Sequence, residues 1–484
     1  MTWQAEPRSL GIISCQADLR RGRISVGESG IKSLRPLSET VQAGSVGRTE
    51  SCQVIPPVDV PKATPSRSRG RSLWMQVTAL AGGNVVASGL RMVGGFLTAR
   101  ATQPAVLGLF NGLGLVQGYA PFLLLGITNG LNRELPYYVG KGDHARVREL
   151  AAAAQAWAVL LGGLAAVALL GVAVWQLMLR QWALAAGWAT NAITVFFLFY
   201  GTNYLQVTYR TRGDFARLAF VNVVQNTVLL AGVALVWWLA FYGLCLRALL
   251  GGIIQVSLLW YWRPVKVLPA WNLGHLRHLL KIGAPIFAVG MTYAYWTTLD
   301  ATLVLHYLGT RGLGLYALVL MSGATLQLLP DALGQVLYPQ MAEQFGRTGD
   351  VRAMVKSAVR PMAFSLLAMA PLVAVGWWLL PRVVNLLLPK YAEAIPAAQW
   401  ALLTPAVACL APVNNVYNVV RRQDLYAVAT VLGMASYYGC LRWLLRGGSE
   451  LVAFSQAMLV GRVIFLMASY TGLAIVLRQA KPQP

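Results

Sequence analysis

From about residue 73 onward, apolar runs of roughly 20 residues alternate with short polar breaks. A run of that length, wound as a helix, crosses the ~30 Å hydrocarbon core of a bilayer. The runs are continuous, without the alternation of a barrel strand, and backbone groups in hydrocarbon must be satisfied internally, so the spans are helices. The pattern predicts helices at about 73–98, 105–131, 150–179, 183–207, 218–241 and 244–262, then 283–307, 312–339, 361–388, 396–420, 425–445 and 450–477. The expected fold is all-α: a polytopic integral membrane protein of about 12 transmembrane helices in two six-helix lobes. The amino-terminal lobe covers 73–262, a polar inter-lobe linker 263–282 and the carboxy-terminal lobe 283–478.

Residues 1–72 are polar and rich in Ser, Gly, Arg and Pro, with no apolar core of a secretory signal, and read as a disordered basic tail or as the product of a start codon placed too far upstream of Met75. The composition agrees with lipid as solvent: 57% of the chain is hydrophobic and 12% charged. Lys and Arg outnumber Asp and Glu by 40 to 17, and in a membrane protein that excess marks cytoplasmic loops before it suggests nucleic acid. Every second loop is basic, from Arg133, Lys141, Arg146 and Arg148 to Arg478 and Lys481. Both termini are therefore expected in the cytoplasm. The cysteines Cys15, Cys52, Cys245, Cys409 and Cys440 and the four histidines show neither a disulfide framework nor metal spacing, and no GxxxxGK[ST] loop is present. No cofactor or metal is expected.

A duplication is visible. Leu107-Gly108-Leu109-Phe110 opens the second helix and Leu313-Gly314-Leu315-Tyr316 the eighth, an offset of 313 − 107 = 206. Gly140-Lys141 with Arg146, and Gly346-Arg347 with Arg352, recur at the same offset. Two parallel repeats that rock about their interface are transporter architecture.

The stretch Gly126-Ile127-Thr128-Asn129-Gly130-Leu131-Asn132-Arg133-Glu134-Leu135-Pro136 with Gly140-Lys141-Gly142-Asp143 resembles a segment of the polysaccharide-exporting branch of the multidrug/oligosaccharidyl-lipid/polysaccharide (MOP) exporter superfamily. So do Leu329-Pro330-Asp331 through Tyr338-Pro339-Gln340-Met341 to Asp350, and Leu388-Pro389-Lys390-Tyr391-Ala392-Glu393-Ala394-Ile395-Pro396. The resemblance implies a V-shaped pair of bundles with a central cavity and a substrate of undecaprenyl-diphosphate-linked oligosaccharide. It implies a bacterial inner membrane as the location, membrane lipids and polysaccharide polymerase or chain-length machinery as partners, and no enzymatic activity.

Charged side chains inside a span cost several kcal/mol unless they face a cavity or a partner. By that rule the candidate binding or gating residues are Arg91, Asp300, Asp331 and Arg462, with Asn84 as a polar contact for sugar hydroxyls. Arg91 and Asp300 fall at similar depth: either they pair across the lobe interface as an outer gate, or Arg91 faces a cavity as an anion ligand or reaches outward to water. A diphosphate needs guanidinium, whereas a cation exporter needs carboxylates, and the first helix has none. The competing readings are a multidrug or metabolite antiporter on the same architecture, a membrane enzyme acting on the same lipid carrier, which the short outer loops disfavour, and a peptidoglycan-precursor flippase with two further helices.

Overall fold

The computed structural model describes residues 69–420, 422–448 and 450–479. The tail reading and the basic loop residue Arg421 lie outside these. Among the described residues the regular structure is helical, without a strand.

The first half of the chain holds α1 (Arg69–Ala101), α2 (Pro104–Tyr119), α3 (Ile127–Gly140), α4 (His144–Met178), α5 (Trp182–Phe197) and α6 (Gln206–Arg212). It ends with α7 (Phe215–Ala231), α8 (Val233–Leu239) and α9 (Phe241–Tyr261). The expected second helix is α2 and α3 together, broken at Leu125 and Gly126, whose φ values are +51° and +88°. Only glycine takes such a conformation without a Cβ penalty, so Gly126 sets the break. The expected fourth helix is α5 and α6 joined by a π-helical stretch, Leu198–Leu205, where the wider turn shifts the register of everything that follows.

In the second half, α10 (Leu273–Thr348) runs 76 residues with one non-helical residue, Gly309, at φ +66° and ψ −167°. A straight helix would put residues 300 and 316 ~24 Å apart. Instead the Tyr316 hydroxyl donates to Asp300 at 2.5 Å, so α10 folds back at Gly309 into two antiparallel arms, 273–308 and 310–348. The first arm starts about ten residues before the expected seventh helix, because Asn272 caps it through His275 N–H. There follow α11 (Val351–Leu387), α12 (Ile395–Ala401), α13 (Thr404–Ala408), α14 (Asn415–Val419), α15 (Gln423–Leu445) and α16 (Glu450–Gln479). The expected tenth helix is thus three short helices, α12 to α14, in a stretch bent by 48°, with Pro396, Pro405 and Pro412 each removing a backbone donor. Among the described residues eight helical runs are long and apolar enough to cross a membrane, nine counting the bent pair. Both arms of α10 enter that set as one run, while α1 and α15 are more polar and fall outside it.

Two main cores form, one mostly from residues 127–259 with Leu276 and Leu279, the other mostly from residues 296–465 with Ala99, Leu107, Val236 and Leu244. In the first, Ala151, Ala153, Ala154 and Ala158 of α4 are fully buried, small enough to let Leu131, Leu205 and Tyr204 close on them. In the second, Trp296, Tyr437, Phe454 and Phe465 dominate. Trp296 seats in notches at Gly433 and Gly461, where an added Cβ would come within 2.9 Å and 2.8 Å of its ring.

The halves meet chiefly where α2 and α3 run antiparallel to the first arm of α10, with the start of α2 reaching past the elbow to Gly314. Glycines line this seam: a Cβ at Gly283 would lie 1.9 Å from the Gly126 carbonyl oxygen, and one at Gly314 would lie 1.7 Å from that of Pro104. Between these ends the Tyr119 and Thr302 hydroxyls bond at 2.7 Å, and Phe122 meets Phe287 and Tyr295 edge to face. Gly108 and Gly314, equivalent under the 206-residue offset, also meet, since a Cβ at Gly108 would be 2.6 Å from Gly314 N.

Candidate functional site

Three of the five residues singled out from the sequence come together in the second half. Asp300, Asp331 and Arg462 line one cavity of about 360 Å³, with Thr297, Gln327 and Ser455. Asp300 is 1% exposed, and both its oxygens are occupied: Tyr316 donates at 2.5 Å and Tyr437 at 2.7 Å. Arg462 lies over the Trp296 ring, its guanidinium carbon 4.4 Å from the centroid, so the charge rests on an aromatic face inside the span. Asp331 is exposed toward the cavity and accepts from Gln327 at 3.0 Å.

Helix geometry explains the convergence. Trp296 and Asp300 are four residues apart, and Arg462 and Phe465 three apart, so each pair shares one helix face. The Gly309 fold-back then delivers Tyr316 from the second arm, and α15 delivers Tyr437. Neither tyrosine was singled out from the sequence, where membrane tyrosines are assigned to the interfacial belts. A buried tyrosine hydroxyl needs an acceptor, and an intramembrane Asp is the acceptor a search could have sought.

The other two residues lie elsewhere. Arg91 is exposed on α1 and its Nε donates to Asn226 of α7 at 3.4 Å, a long contact. Arg91 and Asp300 therefore do not pair in this structure: the carboxylate is turned into the second half, held there by its two tyrosines. Asn84 is exposed on α1 and makes no hydrogen bond among the described residues. The Asp300 cavity, lined by the second half alone, sets two carboxylates against one guanidinium.

α1 leans on α7, where Gly83 admits Ala219, and reaches the second arm of α10 near Met321 and Thr325, the latter donating to the Met92 sulfur at 3.4 Å. A Cβ at Gly82, Gly89 or Gly334 would meet nothing within 4 Å, and Val85 and Val86 are 66% and 53% exposed. The halves thus pack backbone to backbone along α2 and α3, whereas α1 meets the second arm through side chains around Met92, Gly95, Met321 and Thr325. At the basic end of the α2–α3 side stands a polar latch: His278 Nε2 and Glu134 Oε2 at 3.0 Å, and His275 Nε2 2.8 Å from Arg146 Nη1 and 3.5 Å from Glu149. Burial, then the Arg146 charge, hold the His275 imidazole below its ordinary pKa of 6.5, so the neutral ring accepts from the guanidinium. Among the described residues no group of His, Cys, Asp and Glu is arranged to hold a metal ion.

Paired helical halves, a broken second helix and a cavity among the spans make up a polytopic helical membrane fold, and solved structures share it. The fold matches an outward-facing multidrug-resistance MATE transporter of the MOP superfamily (13% identity, TM-score 0.61, covering 85% of this chain and 97% of that one). It also matches the lipid II flippase MurJ in an inward closed conformation (10%, 0.60, 81% and 87%). A third match is a MOP transporter from Pyrococcus furiosus whose binding pocket is described as reversed in polarity (13%, 0.58, 84% and 96%). No curated protein sequence matches significantly. Residues 152–396, just over half the chain, match the family described as polysaccharide biosynthesis protein, and the chain belongs to that family.

Proposed function

We propose that the protein flips an undecaprenyl-diphosphate-linked oligosaccharide across the bacterial inner membrane for surface polysaccharide or O-antigen synthesis. The observation that carries this reading is the unequal seam between the halves. A soluble solute is best carried between halves closed to lipid on both sides. A lipid-linked one needs one side that can part, so that the polar head travels between the halves while the isoprenoid tail stays in hydrocarbon, where each buried CH₂ is worth ~0.8 kcal/mol. The looser contact between α1 and the second arm of α10, made through side chains and not backbone, suits that passage.

By the positive-inside rule the basic end, carrying the latch of Glu134, His278, Arg146 and His275, faces the cytoplasm, which places both termini there. In this reading Arg91 and Asn84 line the looser side and contact the head group in transit. Asp300, Asp331 and Arg462 form the responsive cavity of the second half, where a change in Asp300's hydrogen bonds would shift the first arm against α15 and α16. The polymerase and chain-length machinery would act downstream of the flipped product.

The test is a deletion strain with no second exporter. Loss of surface polysaccharide, with lipid-linked oligosaccharide accumulating on the inner leaflet, is expected, and unchanged surface polysaccharide overturns the reading. The rival multidrug antiporter predicts instead that the deletion slows efflux of cationic dyes and leaves the glycan intact.

A further inference from the structure

A second hollow, of about 330 Å³, lies in the first half toward the basic end, between α3 and the α5–α6 run. Its volume is within the ~300–1,000 Å³ of small-ligand sites. Two facing helices supply the lining at helical spacing: Asn129 and Arg133, one turn apart on α3, and Gln206 and Arg210, one turn apart on α6. The π-helical turn adds Asn203, whose amide donates to the Leu198 carbonyl at 3.0 Å and so fixes its position. A strict α-helix would carry that side chain at a different angle relative to Gln206, and π-turns concentrate at functional sites for that reason.

The charge is one-sided. The lining contains two guanidiniums and no carboxylate, and among the described residues neither Arg133 nor Arg210 has an ion-pair partner. Arg210 makes a long 3.4 Å contact to Gln206. Nearby arginines of the same loops behave differently: Arg146 is paired with Glu149 and Arg217 with Asp214. One residue of the second half, Ile286 on the first arm of α10, completes the wall, so filling the hollow touches both halves at once.

We propose that this hollow is the loading site for the diphosphate of the lipid-linked substrate, with Arg133 and Arg210 each chelating a phosphate and the neighbouring amides of Asn129, Asn203 and Gln206 bonding the remaining oxygens. The inference rests on the flippase reading and gives it an entry point. Two guanidiniums neutralise a diphosphate diester's two charges, and their planar forks match phosphate oxygens bidentately.

The probe is farnesyl diphosphate, with farnesol as its uncharged counterpart, titrated calorimetrically into the full-length protein in lipid nanodiscs. Wild type is expected to bind the diphosphate and not the alcohol. R133Q/R210Q is expected to lose roughly a hundredfold in affinity, about tenfold for each charge-assisted contact, and R133K/R210K to recover part of it. R311Q, which breaks an exposed ion pair with Glu393 at the other end of the molecule, is expected to bind as wild type and controls for net charge. Elution of each variant as a monodisperse peak separates lost binding from lost folding, and if R133Q/R210Q fails to fold, N129A/N203A with the lysine pair carries the test. Equal binding by wild type and the double glutamine variant, or equal binding of diphosphate and alcohol, overturns the loading site. A deletion strain that still exports polysaccharide while arginine-dependent binding persists would overturn the flippase reading and leave an anion site standing.

Discussion

Replacing Gly283 with alanine tests the backbone-to-backbone side of the seam directly. The new methyl would lie 1.9 Å from the Gly126 carbonyl oxygen and 2.5 Å from Gly130 N, all backbone atoms that no rotamer change can remove. Real Cβ atoms essentially never come closer than 3.0 Å, so α3 and α10 must part by at least 3.0 − 1.9 = 1.1 Å. Overpacking of this kind costs ~1–3 kcal/mol, and rigid backbone on both sides puts it at the upper end. Loss of close contact then spreads to the neighbouring Phe122–Phe287 pair and the Glu134–His278 latch. The assay is the thermal unfolding midpoint of purified protein in one detergent, alongside Gly290→Ala on the same arm, where an added Cβ meets nothing within 4 Å. Gly283→Ala is expected to unfold several degrees below wild type, and Gly290→Ala at or slightly above it, because alanine is the better helix former by ~1 kcal/mol. Equal midpoints for Gly283→Ala and wild type would refute the glycine seam.

Trp296→Ala is expected to destabilise by ~3–5 kcal/mol, since it empties a fully buried site and strips Arg462 of its aromatic face; a guanidinium-chloride midpoint like that of wild type would count against it. Asp300→Leu, which leaves the Tyr316 and Tyr437 hydroxyls without their acceptor, should cost ~1–3 kcal/mol for each, whereas Asp300→Asn keeps an acceptor and should cost less; the ordering of the two variants by denaturation is the check. Because His275 is held below its ordinary pKa, the unfolded chain binds its proton first: this contribution to stability is present above about pH 6.5 and is lost as the pH falls through the lower folded value, so His275→Gln should flatten the acid side of a stability-versus-pH curve. Glu393→Gln breaks an ion pair whose side chains are 67% and 64% exposed, and should change stability by less than ~1 kcal/mol, within the scatter of repeated melts.

Much of the architecture is legible because lipid leaves few choices: a run of apolar residues must be a helix of nearly fixed length. The errors of boundary come where the chain departs from a plain α-helix. Gly126 and Gly309 break or reverse it by positive φ, and glycines are too common here, 47 in all, for the sequence to mark those two. The candidate cavity was half legible. Asp300, Asp331 and Arg462 stand out because an intramembrane charge is costly, but their partners Tyr316, Tyr437 and Trp296 carry no charge and look like belt residues. For Arg91, depth along the helix is readable from the sequence and azimuth is not, which is why pairing, a cavity and an outward reach all stay open there. Arg133 and Arg210 show the opposite difficulty, since the positive-inside rule accounts for every basic loop residue alike and so hides the ones that face a hollow.

The one-residue elbow at Gly309 has a mechanical corollary. With no slack between its two arms, α10 cannot tilt one without dragging the other. The first arm carries Gly283 against α3 and the second carries Asp331 on the cavity wall at similar depth, so the elbow links the carboxylate's arm to the zipper between the halves. A few flexible residues spliced in at this bend would uncouple the two, leaving a protein that folds and binds yet idles.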